Sequence, residues 1–459
     1  MSKKPILILQ LQRMGDLVLT FPLIGWLKSQ YPDTPVWVVG EKVFYEGLLK
    51  ISPPVTYFSY ADSHALHSQE YSLIINLSHR PEAAKLAAAL KAESKIGPYI
   101  NDKGNMYISG NWQLYRASVS HNNRHNLFHW SDLNAMDLIP APTMARTYWP
   151  PIQKKEQTQS GKVGLFVGAS EANKRPDTDF WVYLAAKFIR MGVKPVLLGG
   201  KGDMALAAQI AAKLGAPAIN LSGNFSITEL CTFIGQLNLF IAPDTGPMHI
   251  ANWLGVPTLN LSLGPVNAWE TAPTSPGQYV LRSSLSCVGC WECTQKSVRC
   301  KEGMQAEKVA VIARMLLEGK HEMLAKAEFA GNQLWRTTRD KYGLYNLEPV
   351  NGIYPEHLER SKFWKHFFGL QLGFLPQEAE FNLYSAATAM RANGLHTSCV
   401  KGGTALLQAV NTAMRNNNFT ALQNSDFWLH YPPVMRPLSS YIQFMVNNSD
   451  FSKKSLLTA

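Results

Sequence analysis

Several short stretches of this chain combine residue types that can move a proton or hold an anion. The most informative is Asp244-Thr245-Gly246-Pro247-Met248-His249. It lies between the apolar run Leu239–Ala242 and a periodic segment for which Pro247 is a good first helical residue, because the N–H that proline lacks has no helical partner there. The N–H groups of Thr245 and Gly246 then sit at a helix N-terminus, where the dipole favours an anion. Asp244 can accept from a sugar or ribose hydroxyl, and His249, one turn in, can reach a phosphate oxygen. The plainer alternative makes Asp244 an N-cap and His249 a helix-face residue. An acid, small residues and a histidine on one strand-to-helix turn favour the binding reading.

Two more turns have related chemistry. In Gln12-Arg13-Met14-Gly15-Asp16, Gly15 permits a tight turn, and Asp16 either enters a cleft as a general base or caps the next helix, the commoner fate of such an Asp. Gly168-Ala169-Ser170-Glu171-Ala172-Asn173-Lys174-Arg175-Pro176 suits a loop that approaches a diphosphate, with small residues first and cations after them, and equally suits a solvated loop. Asp203, in Gly199-Gly200-Lys201-Gly202-Asp203, either binds a ribose hydroxyl or caps a turn. The pair Asp177 and Asp179 superficially resembles a metal-binding acidic pair, but its place at a helix start reads as capping. Cys287, Cys290, Cys293 and Cys300 follow the spacing C-x2-C-x2-C-x6-C. Thiols this close can wrap one zinc ion or hold iron, with unliganded or paired thiols as the alternative. The last gap is too long for a ferredoxin spacing and its proline is missing.

The elements that must position these residues alternate. Pro5–Leu11, Val36–Val39 and Leu73–Leu77 read as strands, with helices at Leu17–Ser29 and Pro81–Lys91. The proline-bearing, then polar segment Trp149–Gly161 reads as a linker. The alternation restarts with strands Lys162–Val167, Val193–Leu198, Leu239–Ala242 and Val256–Leu261, separated by helices Asp179–Met191, Asp203–Leu214, Ile227–Gln236 and Pro247–Leu254. A helix at Ala306–Leu317 follows. Such alternation indicates βαβ units and parallel sheets. The expectation is therefore two facing Rossmann-like domains, 1–150 and 161–320, with a cleft between them and a cysteine-rich loop at 287–300. Residues 328–459 lose the alternation and read as a mostly helical extension, with amphipathic stretches at Glu378–Asn393 and Thr404–Arg415. In that extension Trp335, Arg336, Arg339, Trp364 and Lys365 read as exposed recognition residues.

The 459 residues are enough for two or three domains, and 46% hydrophobic with 17% charged residues is a soluble globular composition. A net charge of +11 favours anionic partners such as a nucleotide sugar, a phosphorylated glycolipid or an anionic membrane surface. No basic helix or aromatic-studded basic strand points to nucleic acid. The apolar run Ile6–Leu11 is too short for a signal-peptide core, and no stretch reaches the roughly 18 apolar residues of a membrane span. The expected compartment is the cytoplasm, at most at the inner face of the membrane, where cysteines are thiols or metal ligands rather than disulfides.

In order and spacing these motifs resemble the heptosyltransferase family, the family 9 glycosyltransferases of GT-B architecture. The resemblance runs from about Ile6 to Leu317. It rests on Leu9–Asp16, on Gly168-Ala169-Ser170 with Lys174-Arg175-Pro176, on Leu221-Ser222-Gly223, and on Asp244–Ala251 with Leu254-Gly255-Val256-Pro257. It implies an inverting transfer of heptose from ADP-heptose to an acceptor hydroxyl in the lipopolysaccharide inner core. Asp16 is then the general base and Lys174 neutralises the leaving diphosphate. Ser170 belongs to the phosphate loop, and Thr245, Gly246 and His249 hold the diphosphate oxygens. Asp244 sits on the donor sugar or phosphate side, Asp203 on the ribose, and the backbone near Ser222 at the base. The usual position of Asp203 carries a longer Glu, and no Trp separates Arg175 from Pro176. No cofactor is implied for catalysis, and cysteine-rich loops of varied spacing occur in some members. Transfer to a protein hydroxyl, or from another nucleotide sugar, is the nearest alternative. An iron–sulfur or redox protein on an α/β scaffold explains none of the turn motifs, and a catalytically idle binding module leaves Asp16, Lys174, Asp244 and His249 without a purpose.

Overall fold

The computed structural model describes residues 3–450 apart from 121–122, 154–160, 216–218, 288, 291–292, 294, 330 and 393–394. The polar half of the expected linker, and several residues between the cysteines, therefore lie outside the described residues.

The first sheet contains β1 (Ile6–Gln10), β2 (Val36–Gly40), β3 (Thr56–Ser59), β4 (Glu70–Asn76), β5 (Lys91–Ile100) and β6 (Met106–Ser109), in the order β3-β2-β1-β4-β5-β6. All pairings are parallel except β5 with the edge strand β6. β1 is central, with Ile8 level with Val38 on one side and Ile75 on the other, and all five of its residues are buried. A strand covered on both faces by helices has no polar side to show, so it reads as an unbroken apolar run.

The second sheet begins with β7 (Lys162–Phe166), β8 (Lys194–Leu198), β9 (Ile219–Asn220), β10 (Leu239–Pro243), β11 (Thr258–Ser262) and β12 (Tyr279–Ser283), all paired in parallel. Two strands of the expected helical extension, β13 (Asn332–Arg339) and β14 (Tyr345–Pro349), continue it as an antiparallel hairpin beside β12, giving the order β14-β13-β12-β11-β10-β7-β8-β9. The extension is helical only beyond this hairpin, from Leu358–Gln371 onward.

In each sheet the strand order reverses beside the first strand, between β1 and β4 and between β7 and β10. Ligands of open α/β sheets bind in the crevice outside the carboxyl ends of the strands at such points. The turns carrying Asp16, Lys174 and Asp244 follow β1, β7 and β10 respectively.

The expected helix Leu17–Ser29 is two helices, Met14–Leu19 and Phe21–Gln30, meeting at Thr20. Pro22 has no N–H for a bond to residue 18, so the helix stops and restarts with proline in its first turn.

The extension fastens both domains. Phe368 packs on Tyr115 at 4.7 Å and Phe374 on Trp112 at 5.9 Å, filling the core of the first domain. Trp335 packs on Trp269 at 5.0 Å in the second. Arg339 pairs with Asp132 at 2.6 Å, where the side chains are only 9% and 1% exposed. Asp132 also accepts from the Tyr345 N–H at 2.7 Å. Trp335, Trp364 and Lys365, expected on the surface, are thus buried. The Trp364 indole donates to Val434, and Lys365 pairs with Asp340 at 3.1 Å. The last helix, Arg436–Asn448, ends where Asn448 makes both backbone bonds of Ile108 on β6.

Candidate functional site

The cleft between the domains holds a cavity of about 290 Å³. Arg13, Gly15, Asp16 and Leu19 line it from the first domain, facing Ser170, Lys174, Asp203, Asp244, Thr245, Gly246, His249 and Thr271 from the second. The residues singled out at four separate turns therefore meet in one place. Ser222 does not. It is buried beside Gly199, off the cavity wall, with its hydroxyl unpartnered.

Two helix starts meet in this cleft, and glycine makes the approach feasible. A Cβ on Gly15 would come within 3.1 Å of the His249 ring, and one on Gly246 within 2.6 Å of the Met14 side chain. The seam continues where Phe21 packs edge-on against Trp253 and the Trp253 indole donates to the Ile51 carbonyl at 2.8 Å.

Asp16 lies in the first turn of the helix Met14–Leu19. Its carboxylate caps its own helix by accepting from the Arg13 N–H at 3.2 Å, and it also lines the cavity. Burial raises its pKa, opposed first by the positive charge of Arg116. Arg116 had no sequence signal. It lies on the helix Asn111–Ser118, donates to the Leu77 carbonyl at 3.0 Å and is pulled down to about 10 by burial, which leaves it charged at neutral pH. Across the cleft, burial pushes Asp244 up to about 6, against the attraction of Lys174 and a 3.1 Å bond from the Thr271 hydroxyl. Thr271 is a wall residue that the motifs did not indicate.

His249 is held neutral, its pKa lowered to about 3 by burial, and its Nδ1 has no partner. The Thr245 hydroxyl is likewise buried and unsatisfied. Native proteins rarely leave such atoms orphaned, and here both stand at the start of the helix Gly246–Trp253, where an oxyanion would be bonded. Lys174, 18% exposed, is steadied by Glu171 at 2.9 Å, and its loop approaches so closely that a Cβ on Gly264 would strike the Asn173 carbonyl. Asp203 lines the cavity but is partly engaged, accepting from the Gly200 N–H at 2.9 Å and pairing with Arg175 at 3.4 Å.

The sequence and fold of the chain are similar to those of known proteins. Residues 60–301 fit the profile of glycosyltransferase family 9 (heptosyltransferase), just over half the chain. The chain belongs to this family. The matched span holds the second-domain loops but not Asp16. Lipooligosaccharide heptosyltransferase 2 of Campylobacter jejuni is 30% identical over 166 residues, 35% of this chain and 52% of that protein. This chain thus spans about half the length of that relative. Lipopolysaccharide heptosyltransferase 3 of Escherichia coli is 26% identical over 276 residues, 54% of this chain and 80% of its own. Among solved structures, E. coli ADP-heptose lps heptosyltransferase II superposes with a TM-score of 0.53 at 18% identity, covering 69% of this chain and 99% of that one. The likeness shows that this family 9 chain shares the fold of that protein over about two thirds of its length.

The cysteine loop does not match the metal site expected of it. Among the described residues, no three His, Cys, Asp or Glu side chains gather closely enough to hold a metal ion. Cys287, Cys290, Cys293 and Cys300 are free thiols. Cys293 is exposed and turns toward the Gln295 and Ser297 carbonyls, and Cys300 toward that of Gly264, each at 4.0 Å. Burial raises the pKa of the Cys290 and Cys300 thiols.

Proposed function

We propose that this chain is an inverting glycosyltransferase that moves heptose from ADP-heptose to an acceptor hydroxyl of the lipopolysaccharide inner core. One observation carries the reading: across a single cavity, Asp16 faces an anion-holding set of Lys174, the unsatisfied Thr245 and His249, and a helix N-terminus. The donor diphosphate lies on that set, with its ribose toward Asp203. Asp16 takes the proton of the acceptor hydroxyl as its oxygen bonds to the anomeric carbon. The bond from that carbon to the β-phosphate oxygen breaks on the opposite face, and the electron pair leaves with ADP. Lys174 and the helix-end N–H groups stabilise the charge that builds on the leaving oxygen. The raised pKa of Asp16 brings its basicity closer to neutral pH, where a general base is most effective. The reaction belongs in the cytoplasm, beside a membrane that carries the acceptor.

The test is to incubate purified protein with ADP-heptose and inner-core acceptors and to read product mass and anomeric configuration. Transfer with inversion supports the proposal. Transfer only from another nucleotide sugar, or only to a protein hydroxyl, overturns the donor or the acceptor assignment.

A further inference from the structure

Outside the cleft, a second cavity lies where three parts of the chain converge. Arg124 and His125 come from the first domain, Trp269 and Arg282 from the second, and His357 and Arg360 from the extension. Arg282 is buried, with its guanidinium 5.4 Å from the centre of the Trp269 ring. Burial pulls its pKa down to about 10, so it remains charged at neutral pH. Arg124 is exposed and anchored by a 2.9 Å bond to the Ser286 carbonyl, while Arg360 is half-buried. Among the described residues no carboxylate forms an ion pair with any of the three arginines, and the nearby Glu359 is taken by Lys362 at 2.8 Å. The buried Trp269 indole N–H also lacks an acceptor.

Converging guanidiniums without a counter-charge are unfavourable unless something supplies one. An oxyanion does, because it accepts several N–H bonds at once from fork-shaped donors. The enclosed space is only about 20 Å³, room for one oxygen-sized atom, and the rest of the group must stay at the mouth. We infer that this pocket binds a terminal oxyanion group, a phosphate monoester or inorganic phosphate, with one oxygen seated among the arginines. The site communicates with the cleft through a single short element. Asn267 and Trp269 line the pocket, and Thr271, at the far end of the four-residue helix Ala268–Thr271, holds Asp244. Four helical residues span roughly 6 Å along the axis, so one short element carries a wall residue of each cavity.

The binding arm of the test does not depend on the transferase proposal. Inorganic phosphate, titrated at constant ionic strength, should raise the Tm of the full-length protein in a saturable way. The effect should persist in Lys174→Ala, which disables the diphosphate set, and Arg124→Gln/Arg360→Gln should weaken apparent affinity at least about tenfold. Both arginines of that variant lie outside the core, so folding should survive, and an unchanged Tm without phosphate checks it. Full phosphate stabilisation of the double variant, or its loss in Lys174→Ala, overturns the inference. The second arm rests on the transferase reading and identifies the source. If the oxyanion is the acceptor's own, the double variant raises KM for a phosphorylated acceptor but not for its dephosphorylated form or the donor. If it is free phosphate, added phosphate changes turnover equally with both acceptors.

Discussion

Asp16 carries the chemistry proposed here, and it does so while capping its own helix. Replacing it by Ala should cost at least about a hundredfold in turnover, the usual size of a general-base contribution, with donor binding kept. Because burial raises its pKa, the acid limb of kcat/KM against pH should lie above the ordinary carboxylate range. Near-normal transfer by the variant would remove Asp16 from the mechanism. Asp244 gives a stability prediction of opposite flavour. Its folded pKa of about 6 exceeds the ordinary 3.8, so its contribution is most favourable below pH 4 and is lost as pH rises through 6. Asp244→Asn escapes that loss and should be more stable than the parent at pH 8, by on the order of 1–3 kcal/mol, with no gain at pH 4. Denaturation at the two pH values checks it, and a less stable variant at pH 8 would mean the carboxylate is stabilised by the cleft. In the proposed mechanism Lys174 and helix N–H groups face the leaving diphosphate, so transfer should also survive EDTA, and strict dependence on added Mg²⁺ would return attention to Asp177 and Asp179.

At the scale of elements, the junction of the helices Met14–Leu19 and Gly246–Trp253 sets the geometry of the site. Gly15→Val pushes on His249 from a Cβ position already 3.1 Å away, so transfer should fall more than about tenfold while the Tm changes little. Unaltered kinetics would show that the seam tolerates displacement. The same elements explain what the sequence disclosed. β1, β7 and β10 are buried on both faces and read as plain apolar runs, and each site turn is local to the end of one of them, so Asp16, Lys174 and Asp244 were legible together. Arg116 and Thr271 enter the site only by tertiary packing and left no local pattern. β13 is hidden in the sequence for a related reason. In NQLWRTTR, buried and open positions do not alternate cleanly, and Trp335 is interior because residues far off in sequence, Trp269 and Val280 among them, cluster around it. The cysteine spacing looked like a metal site because spacing reports proximity along the chain and not where each sulfur turns.

On the scale of the whole molecule, the extension joins the two domains. A chain ending near Lys326 would strip β13 from β12 and remove Phe368 and Phe374 from the first domain, so it should fail to fold rather than merely lose acceptor recognition. The buried pair offers a finer probe. Asp132→Ala leaves Arg339 charged and without its partner, at a cost of about 3–5 kcal/mol, whereas replacing both residues by apolar ones should cost less. Urea denaturation of the single and double variants distinguishes a true ion pair from two independent packing losses. The stitching also has a consequence during synthesis. Trp112 and Tyr115 leave the ribosome long before the Phe368 and Phe374 rings that cover them. At about 5–20 residues per second, the delay is on the order of 10–50 s. Throughout that interval the aromatic cluster of the first domain, already packed by Phe128, lacks the two rings that complete it, so the last step in closing this core waits for the extension.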